Sequence, residues 1–473
     1  MSDQPNPTGT PDPFDGLPPE LADMLRSMAA GRLDPAMAKM MEQLGIAQLD
    51  PAMLAVAGQQ LQAMLRPTAD AGPVDVEQAT AVARSAAAVD GDPSVLEARR
   101  REVAEAARVA RLWLDSVTEL PAHDVDAVAW SRAEWVEATV PVWGELVTPV
   151  ATGVADAVGR ALRGQLDRLT DAGLPPGATP GGLDPTAIVG AMEPVMRRLS
   201  SAMFSLELGQ AVGGLAGHVV SGTEVALPLV PARTVAMIPS NIDAFAEGLE
   251  VDPAELLIYL TVRESARARL FAGVPWVGPG LLAAVRAYAG DIRIDTDRIE
   301  SALQDIDPGD PSAMSAIQER LSGNLFSAQP SPAQKAALTR LETLLALVEG
   351  WVDVVTDRAT RHQLPDAAAL GEAVRRRRAT GGPTEQAFAH LVGLELRPRR
   401  LRDAANLWAA LEDRAGQARR DEAWHHPDLA PTAEDLDDIL GYVERVTSGG
   451  GAPDALDTEL EALLDAERGS TGE

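Results

Sequence analysis

The chain contains no cysteine, which excludes disulfides, thiolate-bound zinc and a cysteine nucleophile. Aromatic residues are only 4% of it, so the interior must be filled mostly by Ala, Leu and Val, a composition suited to closely packed helices. Lysine is nearly missing: Lys39 and Lys335 stand alone, and arginine carries the remaining positive charge. Positive charge is heavily outnumbered, with a formal net of −29. That excludes general affinity for nucleic acid or an anionic membrane, because phosphate binding needs surplus Lys and Arg. The opening residues, MSDQPNPTGTPDPFDGLPPE, lack the basic-then-apolar pattern of a secretion signal. The longest uncharged run, Leu208 to Thr223, is Gly-rich and too short to span a bilayer. The expected location is the cytoplasm. A Walker loop, a dinucleotide glycine fingerprint and a G-x-S-x-G elbow are all missing as well.

What is present is mostly helical in period. Residues 1–20 are rich in Pro, Asp and Gly and are expected to be a disordered tail, followed by a small Met-rich helical region over 21–82. Residues 83–446 read as the main domain, with long helices broken by Gly/Pro clusters such as LPPGATPGGLDP (Leu174 to Pro185). Trp113, Trp130, Trp135 and Trp143 read as core. Residues 447–473 hold a Gly-rich linker and a short acidic helix with Leu456, Leu460, Leu463 and Leu464 on one side. The strongest strand signal is EVALPLVPARTVAMIPSN, rich in Val and Ile with prolines where an edge hairpin tolerates them.

Immediately after it, Asp252-Pro253 supplies an N-cap and first helical residue for a helix over about Ala254 to Phe271. That helix carries Arg263-Glu264-Ser265-Ala266-Arg267, where a zinc peptidase carries His-Glu-x-x-His. Residues four apart share one helix face, so two histidines there can grip a zinc ion beside a water-polarising glutamate. Guanidinium is permanently charged and has no lone pair to give, so neither arginine can replace an imidazole ligand.

Six segments, one of them holding this motif, extend the comparison: AWSRAEWVEATVPVW (Ala129 to Trp143), LPLVPARTVAMIPSNIDAF (Leu227 to Phe245), RESARARLFAGVPWV (Arg263 to Val277), LETLLALVEGWVDVV (Leu341 to Val355), RRRRATGGPTEQAFAHLVGLELRPRRLRDAANLW (Arg375 to Trp408) and AWHHPDLAPTAEDLD (Ala423 to Asp437). In this order they resemble the actinobacterial zincin-like family labelled zinc-dependent metalloprotease or hydrolase. The resemblance implies a mainly α-helical, zincin-like metallopeptidase domain with a small edge β-hairpin and a helical N-terminal extension. It implies zinc as the family's cofactor. By position, Glu264 matches the family's general base, vestigial without its metal, and Glu349 matches the third ligand. Arg263 and Arg267 stand at the two histidine positions.

With both imidazoles replaced, the expected protein is a non-catalytic member that holds no zinc and keeps the cleft for a peptide or protein. The alternatives are an active hydrolase whose metal is held by carboxylates and a distant histidine, His425 or His426, and a scaffold acting through its acidic C-terminal helix. Glu349 sits in an apolar helix and must be compensated, so Arg267, or else Arg263, is expected to pair with it. Glu264 is expected to pair with Arg267 or Arg269. Asp353 and Asp357 continue the face of Glu349 at four-residue spacing. Arg375 to Arg378, with Arg397, Arg399, Arg400 and Arg402, form a basic cluster that reads as a solvated face paired to carboxylates.

Overall fold

Proline after a polar cap opens the helices that matter most. Asp252 caps the helix Pro253–Gly273, its carboxylate accepting from Ala254 N at 2.7 Å. Ser331 and Gln334 form a reciprocal capping box at the start of Pro332–Thr360, with bonds of 3.0 and 3.2 Å. The computed structural model describes residues 72–171, 185–292, 331–379, 391 and 399–448. The expected tail, most of the N-terminal helical region, the 174–184 loop, the C-terminal linker and the acidic helix lie outside the described residues.

In chain order the elements are α1 (Val76–Ala87), α2 (Glu97–Leu114), β1 (Asp126–Ala129), α3 (Arg132–Asp171), α4 (Pro185–Ala216), β2 (Thr234–Met237), α5 (Pro239–Ala246), α6 (Pro253–Gly273), α7 (Val277–Gly290), α8 (Pro332–Thr360), α9 (Ala367–Ala379), α10 (Arg399–Glu422), α11 (Ala433–Asp437) and α12 (Ile439–Thr447). No single described helix is long and apolar enough to cross a membrane.

The chain divides into two compact units. The first comprises Met1–Asp75, Val150–Ser205 and Ile292–Gln329. Within it, Ser205 Oγ accepts from Asp75 N at 2.7 Å, and Ser201 Oγ donates to Gly72 O at 3.0 Å. The second comprises Val76–Pro149, Leu206–Asp291 and Pro330–Glu473, and holds every candidate site residue.

In that second unit α6 lies at the centre, packed on α2, α8 and β2, while α8 also packs on α7 and α10. Leu256, Tyr259 and Leu260 of α6 share a core with Leu364, Leu370 and Val374. Helices α8 and α10 approach closely at Gly350, where an added Cβ would lie 2.6 Å from the backbone nitrogen of Ala405. Only glycine lets α8 and α10 meet so tightly. Trp135 and Trp143 are fully buried as expected.

The strand signal was placed correctly but paired differently. β2 runs parallel to the distant β1, in register from Asp126↔Thr234 to Ala129↔Met237. On its other side, Ser221 bridges Met237 antiparallel, with Gly222 N donating to Ala236 O at 2.9 Å and Ile238 N to Val220 O at 3.0 Å. The expected edge hairpin is therefore corrected to a two-stranded parallel sheet with a short antiparallel flank. Pro228 and Pro231 have no N–H to donate, so the segment before β2 cannot run on as its hairpin partner. β2 is also buried along its whole length, so it is not an edge.

Candidate functional site

The α6 sequence buries charge that it must then neutralise. Arg263 and Arg267 are each 2% exposed, Glu264 is 0%, and Glu349 on α8 is 4%. An uninterrupted helix of 21 residues, nearly six turns, holds the first three in fixed relation, as the cap and apolar repeat predict.

Glu349 is the acceptor at the centre. Arg267 Nε donates to its Oε1 at 2.7 Å, and Arg263 Nη2 donates to Oε2 at 3.1 Å. Arg378 of α9 donates to the same Oε2 through Nη1. Arg263 Nη1 also pairs with Asp353, one turn along α8 from Glu349. Burial acts to raise the Glu349 carboxyl, but Arg267, Arg378 and Arg263 outweigh it and hold it at about 2. Burial likewise disfavours the charge on Arg263, yet Asp353, Tyr259 and Glu349 raise its guanidinium above the ordinary value.

Glu264 has its own cradle in the segment flanking β2. Ser221 Oγ donates to its Oε2 at 2.8 Å, Thr223 Oγ1 to Oε2 at 2.9 Å, and Thr223 N to Oε1 at 2.9 Å. Arg267 Nη1 completes the set through an ion pair one turn along α6. Between the two hydroxyls sits Gly222, where a Cβ would come within 3.2 Å of Glu264 Oε1 and 3.1 Å of Ala236 Cβ. Burial pushes the Glu264 carboxyl above its ordinary value, against the pull of Arg267 and of the Ser221 and Thr223 hydrogen bonds. Three guanidiniums (Arg263, Arg267, Arg378) thus face three carboxylates (Glu264, Glu349, Asp353), and the cluster is charge-balanced.

The residues do not fit a zinc ion. Zinc sites draw on His, Cys, Asp or Glu lone pairs, and the lone pairs of Glu349 and Glu264 here point at guanidinium and hydroxyl donors. Among the described residues no group of three or more His, Asp or Glu is placed to hold a metal ion. His425 and His426 are exposed, and His426 Nδ1 caps the turn at Pro427–Leu429 by accepting from Asp428 N at 3.3 Å.

Several partners were not legible beforehand. Arg378 belongs to what read as a solvated basic face. Arg375 and Arg376 do pair with Glu372 on that face, but Arg378 turns inward to Glu349. Asp357, expected to extend the polar network, pairs instead with Arg361. Arg269 binds Leu120 O at 2.7 Å and Asp115 rather than Glu264. The Ser221 and Thr223 hydroxyls carry no mark of this role in the sequence, because S-G-T only closes the Gly-rich uncharged run Leu208 to Thr223.

The depressed carboxyl of Glu349 carries a pH signature. Its contribution to stability is present above the ordinary value of 4.5 and is lost as pH falls toward about 2. The size is on the order of 3 kcal/mol at neutral pH. The stability gap between the parent and Glu349→Gln, read from urea midpoints, should therefore narrow steadily below pH 4.5. Glu264, with a raised carboxyl, acts with the opposite sign, but it is common to both proteins and largely cancels in the difference. A gap that stays constant with acidification would contradict the assignment.

The profile of the zincin-like metallopeptidase family matches residues 74–443. The chain therefore belongs to the zincin-like metallopeptidase family. None of the curated proteins matches it. Among solved structures, the crystal structure of a candidate hydrolase with a novel fold from Chloroflexus aurantiacus is similar, with a TM-score of 0.50 and 18% sequence identity. The match covers 80% of this chain and 100% of that one, and it is a likeness of fold alone.

Proposed function

We propose that this chain is a non-hydrolytic member of the zincin-like family, in which an ion-pair cluster stands where the metal chemistry would be and the adjoining cleft holds a peptide. The observation that carries this reading is the saturation of Glu349 by Arg263, Arg267 and Arg378. Two guanidiniums bring the same total charge as one zinc ion, so Arg263 and Arg267 can hold the carboxylates together without it.

Glu264 supports the same conclusion. A general base must reach a water or substrate proton, and this carboxylate is fully buried with four donors already on it. Its role is to tie the flank of β2 to α6. The test is peptide hydrolysis by the full-length protein with and without added zinc, beside Glu264→Gln. The expected result is no cleavage above background in either protein. Zinc-stimulated cleavage that disappears in Glu264→Gln would overturn the reading.

A further inference from the structure

We propose that the outer edge of β1 takes an extended, basic peptide as an added strand. The peptide backbone would pair with Val125 and Ala127, and its Lys or Arg side chains with Asp124 and Asp126. These residues are separate from the Glu349 cluster, and the proposal does not depend on whether the chain binds zinc.

Strand geometry sets which backbone groups are free. Asp126 N donates to Arg233 O at 2.9 Å and Trp130 N to Met237 O at 2.8 Å, so the even-numbered residues turn their backbone toward β2. The odd-numbered residues turn theirs the other way. Of these, Ala129 is closed off: it is 1% exposed, and its carbonyl accepts from Arg100 Nη1 at 3.4 Å. Val125 and Ala127 are partly exposed, and their N–H and C=O groups make no hydrogen bond among the described residues. Unpaired groups along a sheet edge are a template for another strand.

The side chains set the charge of the partner. Ala129 shares a core with Val103 of α2. Alternation then puts Asp124, Asp126 and Val128 on the opposite, outer face. Asp126 is exposed and makes no ion pair among the described residues. Asp124 is fully exposed, and Arg111 Nη1 lies 3.4 Å from its Oδ1. Two carboxylates at alternate positions match Lys or Arg at alternate positions of an added strand, because cross-strand neighbours on one face lie within reach of each other. The net charge of −29 draws in a basic peptide and repels an acidic one. A second copy of this chain fits less well. Two antiparallel edges centred on Val125 would set Asp124 against Asp126, and centred on Ala127 they would need the buried Ala129.

The experiment is fluorescence anisotropy of the full-length protein with fluorescein-labelled Lys-Val-Lys-Val-Lys-amide. Beside it run the same peptide N-methylated at its three central residues, and Glu-Val-Glu-Val-Glu-amide. N-methylation keeps the charge but removes the donors a strand needs, so it should weaken binding at least about tenfold. The glutamate peptide should not bind. Ala127→Pro removes an outward N–H and no bond of the β1–β2 ladder, so it should keep the parental thermal midpoint and lose about as much affinity as N-methylation. Asp126→Asn should weaken binding about threefold, the size of an exposed ion pair. If Ala127→Pro lowers the midpoint, the N-methylated peptide decides alone. Equal binding of the N-methylated peptide would overturn the proposal, because it would show only diffuse attraction to an acidic protein. Glutamate-peptide binding as tight as the lysine peptide's would also overturn it. So would no binding at all, which would leave Asp124 and Asp126 as charges that keep other strands away.

Discussion

Glu349→Ala is expected to destabilise the protein by about 3–5 kcal/mol, because it strands buried positive charge rather than simply removing a contact. Arg263 retains Asp353 and Arg267 retains Glu264, but Arg378 keeps no carboxylate partner among the described residues. Adding Arg267→Leu alone should recover little: it leaves Arg378 uncompensated and deprives Glu264 of the one cation paired with it among the described residues. Adding Arg378→Leu should recover more. This order of rescue reverses the simplest expectation from sequence, in which one arginine answers one glutamate. Urea unfolding of the three variants reads it directly. A Glu349→Ala protein as stable as the parent would show that the cluster holds nothing together.

The second large effect is a gain. Arg263→His with Arg267→His places two imidazoles one turn apart on α6, with Glu349 already against both positions. The substitutions remove two positive charges that one zinc ion would restore. Without metal the variant should be less stable than the parent. With free zinc at about 1,000 times its dissociation constant it should gain about 4 kcal/mol. Thermal midpoints measured against zinc concentration test this. A folded variant whose midpoint ignores zinc would show that α6 and α8 do not present a ligand set.

How much of this was readable in advance depended on how local the cause was. The α6 helix was legible because Asp252, Pro253 and an unbroken apolar repeat are neighbours in sequence. The pairing of Arg267 with Glu349 followed from the need to neutralise a carboxylate in LLALVEGWVDVV, and it is present at 2.7 Å. The partner of β2 was not legible, since β1 lies more than a hundred residues earlier and strand pairing over such distance leaves no local mark. Arg378 was misplaced for a similar reason: a run of four arginines looks uniform, and only the packing of α9 selects which one turns inward.

A second buried cluster leaves no mark in the sequence. Arg420, fully buried, donates to Asp421 at 2.8 and 2.9 Å and to Val117 O at 2.8 Å. Asp421 in turn accepts from Thr118 Oγ1 at 2.6 Å, Glu119 N at 2.8 Å and Trp351 Nε1 at 2.8 Å. In sequence it is an unremarkable R-R-D-E at a helix end. In the fold it joins α10, α8 and the segment after α2.

Elemental analysis of the full-length protein, purified without chelator beside the double-histidine variant, tests the central claim most directly. Guanidiniums at Glu349 require background zinc in the parent and stoichiometric zinc in the variant. One tightly held zinc per parent chain would contradict the claim, because no ion could share Glu349 with Arg263, Arg267 and Arg378 as they are placed.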